Sequence, residues 1–353
     1  MALKQIRINN LRIIEDLQLE PAQGVNLIWG ENGSGKTTIL EAVYLLGRGK
    51  SFRNAEQGQL LNKDAKQLTL FARTENSQGS HAVGFAKGGR LTQAKLDGNR
   101  VSRMSDLARA IPLTIITPNS HEILERGPQY RRRFLDWGVF HVEQSFRGVF
   151  ERYSRCLKQR NAALRLGGRF DASWDRELIE SGNQVNFLRE KYIHKLKDKI
   201  TELSSDLLSI EPLEIDWMRG WPGKGDLEQI TKEAEQGDIQ TGYTRYGPHR
   251  ADLTIKLKGQ KVEKIASRGQ QKMLVAAMHL AQAELARELA GTETIILIDD
   301  LTSELDQTNR EILLNQLNKL GNQTLITGVD NISQTSSNFS KVFHVEHGSI
   351  SPS

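Results

Sequence analysis

The chain has 353 residues, 48 Lys and Arg against 43 Asp and Glu, a net charge of +5 and a pI near 9.2. That length corresponds to roughly two domains with a substantial core, which excludes a small disulfide-stapled scaffold, and the one cysteine, Cys156, excludes an internal disulfide and a Cys-rich zinc site. With 38% hydrophobic and 26% charged residues, no apolar run of membrane-spanning length and no apolar export segment near the N-terminus, the expectation is a cytoplasmic protein without membrane spans.

The first 120 residues read as short strands and tight turns. Apolar or alternating runs occupy residues 4–9, 17–20, 25–29, 68–73, 81–87 and 91–96, with a hairpin turn at Asp97-Gly98 and a buried strand over 113–117. From Pro128 to Arg165, apolar residues recur at three- and four-residue spacings, the mark of an amphipathic helix with a break near Gly138 or Gly148. Gly167-Gly168 ends it, and a second helix with Asp171 or Ser173 as N-cap carries Val185, Leu188, Tyr192, Leu196, Ile200, Leu203 and Leu207 on one face. Two long helices joined by so short a loop should pack antiparallel.

Pro212, Trp221-Pro222-Gly223 and the polar stretch to Gln240 read as connectors or a lid. Strands are expected over 253–257 and 262–265, a helix over 270–289, a central parallel strand over 294–299, a helix over 311–320, a buried strand over 324–327 and a terminal strand over 342–345. The expected domains are residues 1–118 and 242–353, forming the two parts of one α/β unit, and a helical insertion over 119–241. The basic excess is concentrated. Residues 126–169 hold eleven Lys and Arg against three acids and net +8, so the remainder nets −3. Three anions cannot lace eleven cations through i,i+4 pairs, and a phosphate backbone is the natural counter-charge. Arg131, Arg132, Arg152, Arg155 and Lys158 are the candidate DNA contacts. Trp137, Phe140, Phe146 and Phe150 have helical spacing and read as packing residues rather than base contacts.

Residues 30–37 match G-x-x-x-x-G-K-[ST] in full, after a strand and at the start of a helix. In this motif Gly30, Glu31, Asn32, Gly33, Ser34 and Gly35 cradle phosphate oxygens with backbone N–H groups, Lys36 reaches the β and γ phosphates, Thr37 ligates magnesium and Thr38 continues the helix start. Asp299 and Asp300 close an apolar strand. Asp299 is placed to hold magnesium through water and Asp300 to orient the attacking water. Ser267-Arg268-Gly269-Gln270-Gln271-Lys272 precedes a helix, and is either an anion-binding helix start or an ordinary cap.

In order, the P-loop, helical insertion, Ser-Arg-Gly-Gln-Gln-Lys, acidic strand and Ser303-Glu304-Leu305-Asp306 resemble the ABC-type ATPases of the chromosome-maintenance and Rad50 group. The stretches 127–136, 247–253 and 299–306 narrow the resemblance to the RecF family of bacterial recombinational repair, over residues 4–347. That resemblance implies an ABC-type P-loop ATPase head of mixed sheets, interrupted by a helical arm, that hydrolyses ATP when two copies sandwich two nucleotides. It further implies that Ser267, Gly269 and Gln270 act on nucleotide held by the other copy, that Asp306 lies in the loop joining the two sites, and that Arg12 contacts nucleotide. By the same resemblance the cofactors are ATP and Mg2+. The partners are single-stranded and gapped DNA, a second copy, and RecR with RecO and RecA, in repair, replication and the SOS response to DNA damage.

Asp300 stands where most ABC ATPases carry Glu, and no His follows the strand 324–327, which together imply slow hydrolysis. Arg126 and Asn119 replace an expected Gly and acid. The competing readings are a transporter ATPase subunit, which calls for an LSGGQ-like signature and a switch His, and another P-loop enzyme; a GTPase would need Asn-Lys-x-Asp where this chain has Asn318-Lys319-Leu320-Gly321. Arg250 is left with two roles, phosphate sensing or pairing with Asp252.

Overall fold

Partial alternation of buried and exposed side chains builds β1 (Ala2–Leu11) and β2 (Ile14–Leu19), whereas β3 (Val25–Trp29) is a continuous buried run, as befits a strand with parallel neighbours on both sides. The structure is a computed structural model that describes residues 1–352 except 54–59, 64, 77–78, 90, 167–171, 209–211, 224, 302–304 and 335–337. The possible N-caps Asp171 and Ser173, the helix end at Gly167-Gly168, and Ser303-Glu304 lie outside the described residues or side chains. The chain continues with α1 (Lys36–Arg48), β4 (Leu68–Asn76), β5 (Gly79–Gly88), β6 (Leu91–Leu96), β7 (Asn99–Arg100), α2 (Met104–Ala110) and β8 (Leu113–Ile116). Next come α3 (Glu122–Glu125), α4 (Pro128–Val142), α5 (Phe146–Arg165), α6 (Ala172–Leu207), β9 (Glu214–Met218), α7 (Leu227–Thr241), β10 (Asp252–Leu257), β11 (Gln260–Lys261) and α8 (Val262–Ile265). The last elements are α9 (Arg268–Ala290), β12 (Ile295–Ile298), α10 (Gln307–Leu320), β13 (Thr324–Gly328), β14 (Lys341–Glu346) and β15 (Ser349–Pro352). Among the described residues no helix is long and apolar enough to cross a membrane.

Packing divides the chain into two units, one of residues 1–120 with 272–353 and one of residues 121–271. The first contains two six-stranded sheets. One is antiparallel in the order β2-β1-β4-β5-β6-β7; the other has the order β15-β14-β3-β13-β12-β8, parallel except for β15 at its edge. Helix α1 buries Ile39, Leu40, Val43, Leu45 and Leu46 in a core shared with Ile6 and Ile8 of β1 and Ile295 and Leu297 of β12. Polar stitches join the layers: the buried Gln323 amide receives the Leu3 N–H at 2.6 Å and donates to the Leu3 carbonyl at 3.0 Å. The parallel registers Ile298↔Ile326 and Ile326↔Leu27 bring the carboxyl ends of β12, β13 and β3 to one edge of the sheet. At that edge an α/β sheet collects its ligand-binding loops.

The second unit is built on α4, α5, α6 and α7 with the small antiparallel sheet β11-β10-β9. Arg160 pairs with Asp175 while Arg152 pairs with Gln184, so α5 and α6 run antiparallel as expected. The helical break lies at residues 143–145, between the two glycines named from sequence. Gly138 is helical, and a Cβ there would sit 2.1 Å from the Tyr192 hydroxyl, so close helix packing explains this glycine. The stretch read as connectors or a lid contains β9, paired with β10, and α7, whose N-cap Asp226 accepts from the Gln229 N–H at 2.8 Å. Residues 262–265 form a helical turn rather than a strand, closed by the Ala266 N–H on the Val262 carbonyl at 2.9 Å.

Candidate functional site

The turn between β3 and α1 is built by glycines with positive φ: Gly30 at 152°, Gly33 at 82° and Gly35 at 117°. A Cβ on Gly30 would lie 2.2 Å from the Val345 carbonyl oxygen, so the turn tolerates no side chain there. Gly35 caps α1 without a side-chain hydrogen bond, and the first turn of the helix carries no acid. Its N–H groups and dipole are therefore left for an external anion. Asn32, Gly33, Gly35, Lys36, Thr37 and Thr38 line a cavity of about 650 Å³. Glu31 and Ser34 complete the turn; the buried Ser34 hydroxyl has no hydrogen-bond partner among the described residues, which marks a place for a polar ligand.

Lys36 is buried, and its Nζ donates to the carbonyls of Gly30 at 2.7 Å and Glu31 at 2.8 Å. Burial lowers its pKa, and the carboxylates of Asp300 and Asp299 oppose that shift. The Thr37 hydroxyl donates to Asp299 Oδ1 at 2.8 Å. Two hard oxygen donors side by side at a phosphate cradle suit Mg2+. Burial raises the Asp299 pKa against the hydrogen bonds from Thr327 and Thr37, so the carboxyl is tuned to a site where a cation would hold it ionised.

Thr327, which sequence reasoning passed over, is central to the acidic pair. Its Oγ1 donates to Asp299 Oδ1 at 2.8 Å and accepts the Asp300 N–H at 2.8 Å. Asp300 takes a left-handed φ of 59°, unusual for a non-glycine residue, and lines the same cavity. The signal for Thr327 was its place at the end of a buried strand beside β12, where the resemblance looked only for a following histidine. Arg12 also lines the cavity and has a left-handed φ of 53°. Its Nε and Nη2 reach the buried Glu41 carboxylate at 2.5 and 2.8 Å, and the Ser51 hydroxyl joins that carboxylate. Glu41, Arg53 and Lys63 were not singled out in sequence; the last two add cationic side chains to the cavity wall.

In the other unit, Ser267 and Gln270 form a capping box at the start of α9. The Ser267 N–H donates to Gln270 Oε1 at 2.9 Å and the Gln270 N–H to Ser267 Oγ at 3.2 Å, with Gly269 between them. Ser267 is exposed, and the neighbouring Arg268 pairs with Glu125. Asp306 caps α10, accepting the Asn309 N–H and side-chain amide, each at 2.8 Å. Those hydrogen bonds hold its carboxyl below the usual range.

The basic stretch meets acids the local count left out. Arg131 forks onto Asp252 at 2.7 and 3.0 Å, and Arg132 donates to the Ala251 carbonyl at 2.7 Å. Arg160 is buried against Asp175 and Asp238. Arg152, Arg155 and Lys158 are exposed on α5, Arg152 touching Gln184 at 3.2 Å. Phe146 is buried and Trp137, Phe140 and Phe150 are half-buried, in keeping with packing roles.

Residues 2–351 match the RecF/RecN/SMC N-terminal domain family. The chain is 39% identical to the DNA replication and repair protein RecF of Shewanella oneidensis, over 99% of each chain. A solved structure of the recombination mediator protein RecF-ATP in the RecFOR pathway superposes with a TM-score of 0.87 at 26% identity, covering 99% of this chain and 97% of that one. The head of Smc, bound to the C-winged helix domain of ScpA, shares the fold at a TM-score of 0.63 and 14% identity, over 100% and 98% of the two chains.

Proposed function

The chain belongs to the RecF family, and from that premise we propose that it is an ATP-binding DNA repair and recombination mediator, switched by nucleotide between a free and a DNA-retaining homodimer. The observation that carries the reading is the Thr37–Asp299 contact of 2.8 Å at an uncapped helix N-terminus, beside a buried lysine. In this reading the α1 N–H groups and Lys36 hold the phosphates, Lys36 leaving its two carbonyls to do so. Thr37 and Asp299 hold Mg2+, whose chemistry is to neutralise charge developing on the phosphates. The Asp300 carboxylate, fixed through its own N–H on Thr327, orients water and takes its proton.

Ser267, Gly269 and Gln270 then belong to the joint with nucleotide held by a second copy, and the exposed position of the capping box supports that use. Hydrolysis is slow and serves release. Single-stranded and gapped DNA is held along α5 by Arg152, Arg155 and Lys158. RecR, RecO and RecA are the protein partners, in the cytoplasm, during repair, replication and the SOS response.

Mixing two variants tests the proposal. Lys36→Ala should weaken ATP binding on the order of 100-fold, because it removes the cation at the β and γ phosphates. Ser267→Arg should bind ATP normally and fail to dimerise. In the mixture, up to half of a dimer's composite sites should recover ATP-dependent association and DNA retention. Normal ATP-driven dimerisation of Ser267→Arg would defeat the dimer reading, and unchanged nucleotide affinity in folded Lys36→Ala would defeat the phosphate site.

A further inference from the structure

The stretch from Gly247 to Leu253 has no role in the ATP reading, yet it is pinned from several sides. The Gly247 N–H donates to the Gly220 carbonyl at 3.1 Å, and Arg189 of α6 donates to the Pro248 carbonyl at 2.7 Å. His249 Nε2 donates to the Thr244 carbonyl at 2.9 Å, so its Nδ1 accepts the Tyr153 hydroxyl at 2.6 Å. Gly247 has a φ of 136° and would place a Cβ 2.7 Å from that hydroxyl, so only glycine fits. On the other side of Arg250, Arg132 and Arg131 of α4 hold the Ala251 carbonyl and the Asp252 carboxylate. Asp252 is thereby spent on Arg131 and is not the partner of Arg250.

The side chain of Arg250 is treated differently from its neighbours. Arg219 donates to the carbonyls of Gly223 and Gly225, and Arg245 to Asp238 and the Ala234 carbonyl. Arg250 is exposed, with its guanidinium carbon 5.1 Å from the centre of the Tyr243 ring, and its donors make no hydrogen bond or ion pair among the described residues. Tyr243 is itself 42% exposed. A guanidinium on an immobile backbone, steadied by a ring, loses less freedom when it grips an anion than a mobile surface arginine does.

We propose that Arg250 and Tyr243 form a nucleotide grip for single-stranded DNA, Arg250 forking a phosphodiester while Tyr243 stacks on an adjacent unpaired base. The inference rests on the DNA-binding reading above and adds to it a contact that distinguishes strand type. A duplex keeps its base faces stacked inward and offers only phosphates, so the ring favours the single strand. An acidic peptide would satisfy the fork and leave the aromatic face unused.

The test measures binding of the full chain with ATP to a fluorescent single strand and to its duplex across a salt series. Arg250→Ala should lose about tenfold on the single strand and flatten the log–log salt slope by about 0.7; Arg250→Lys should regain the slope with only part of the affinity. Tyr243→Leu should lose about fivefold on the single strand at unchanged slope, and less on the duplex. Parental affinity and slope in Arg250→Ala, from a protein that binds DNA, would overturn the grip and leave the α5 reading intact. So would displacement of the strand by polyglutamate from the parental protein but not from Arg250→Ala, which would make this a peptide site. Failure of the parental protein to bind any DNA would sink the DNA reading and this inference with it.

Discussion

The two units handle charge in opposite ways. At the sheet edge of the first, Lys36, Asp299, Asp300, Arg53 and Lys63 line one cavity, and the Ser34 hydroxyl has no hydrogen-bond partner among the described residues. In the second, arginines are consumed by distant acids: Arg131 by Asp252, Arg160 by Asp175 and Asp238, Arg189 by Asp136. An excess of cations in sequence is thus a surplus only after tertiary pairing has been subtracted. Running inward, Arg160 and Arg189 join helices and Arg131 joins α4 to β10, whereas Arg152 and Arg155 of α5 and Arg250 are among the arginines that stay exposed.

Removing an inward arginine should break the second unit while sparing the cavity. Arg160 and Asp238 are each 1% exposed, so Arg160→Ala strips the buried Asp238 carboxylate of one of its two arginine partners, Arg245 remaining, and should cost about 3 kcal/mol, read by denaturant unfolding. ATP affinity measured on the fraction still folded should be unchanged; loss of ATP affinity there would erase the contrast between the units. Acid should strain the same network through His249, which burial holds at about 4 against an ordinary value of 6.5. Because the unfolded chain takes up this proton first, stability falls as pH drops from about 6.5 to 4, by about 3 kcal/mol from this group, and flattens below. His249→Gln should shallow that slope. His279 of the first unit, also held at about 4 by burial, adds a like slope there that the substitution leaves in place.

At the cavity, Asp300→Asn should keep ATP bound, since Lys36, Thr37 and Asp299 are untouched, while hydrolysis falls on the order of 100-fold in single-turnover assays. Hydrolysis at the parental rate would remove Asp300 from its proposed role. The smallest effect is expected on the outer face of α5. The double variant Arg155→Ala, Lys158→Ala should unfold at the parental denaturant midpoint and lose about tenfold in DNA affinity, with a shallower salt slope. A shifted midpoint with unchanged DNA binding would place these cations among the structural ones.

Legibility in the sequence followed the range of the interactions involved. The strand Val25–Trp29, the glycine turn and the start of α1 were readable because their conformations are set within a few residues, by β-branched and apolar runs and by glycines at positive φ. The apolar run ending at Asp299 was readable for the same reason. The strand Glu214–Met218 was not, because a five-residue strand acquires its meaning from pairing with Asp252–Leu257, far along the chain. Gly138 looked like a breaker and is a contact surface for Tyr192, a fact carried by a different helix.

By itself the sequence determined the phosphate cradle, the acidic strand end, the helical pair and the family resemblance, all written in contiguous residues whose local geometry needs no partner. Tertiary structure alone decided that Thr327 would link Asp299 and Asp300, that Glu41 would hold Arg12, and which arginines would turn inward. These contacts join residues 27, 28, 29 and 121 positions apart, made when separate strands and helices pack, and no local pattern of residues encodes the partner.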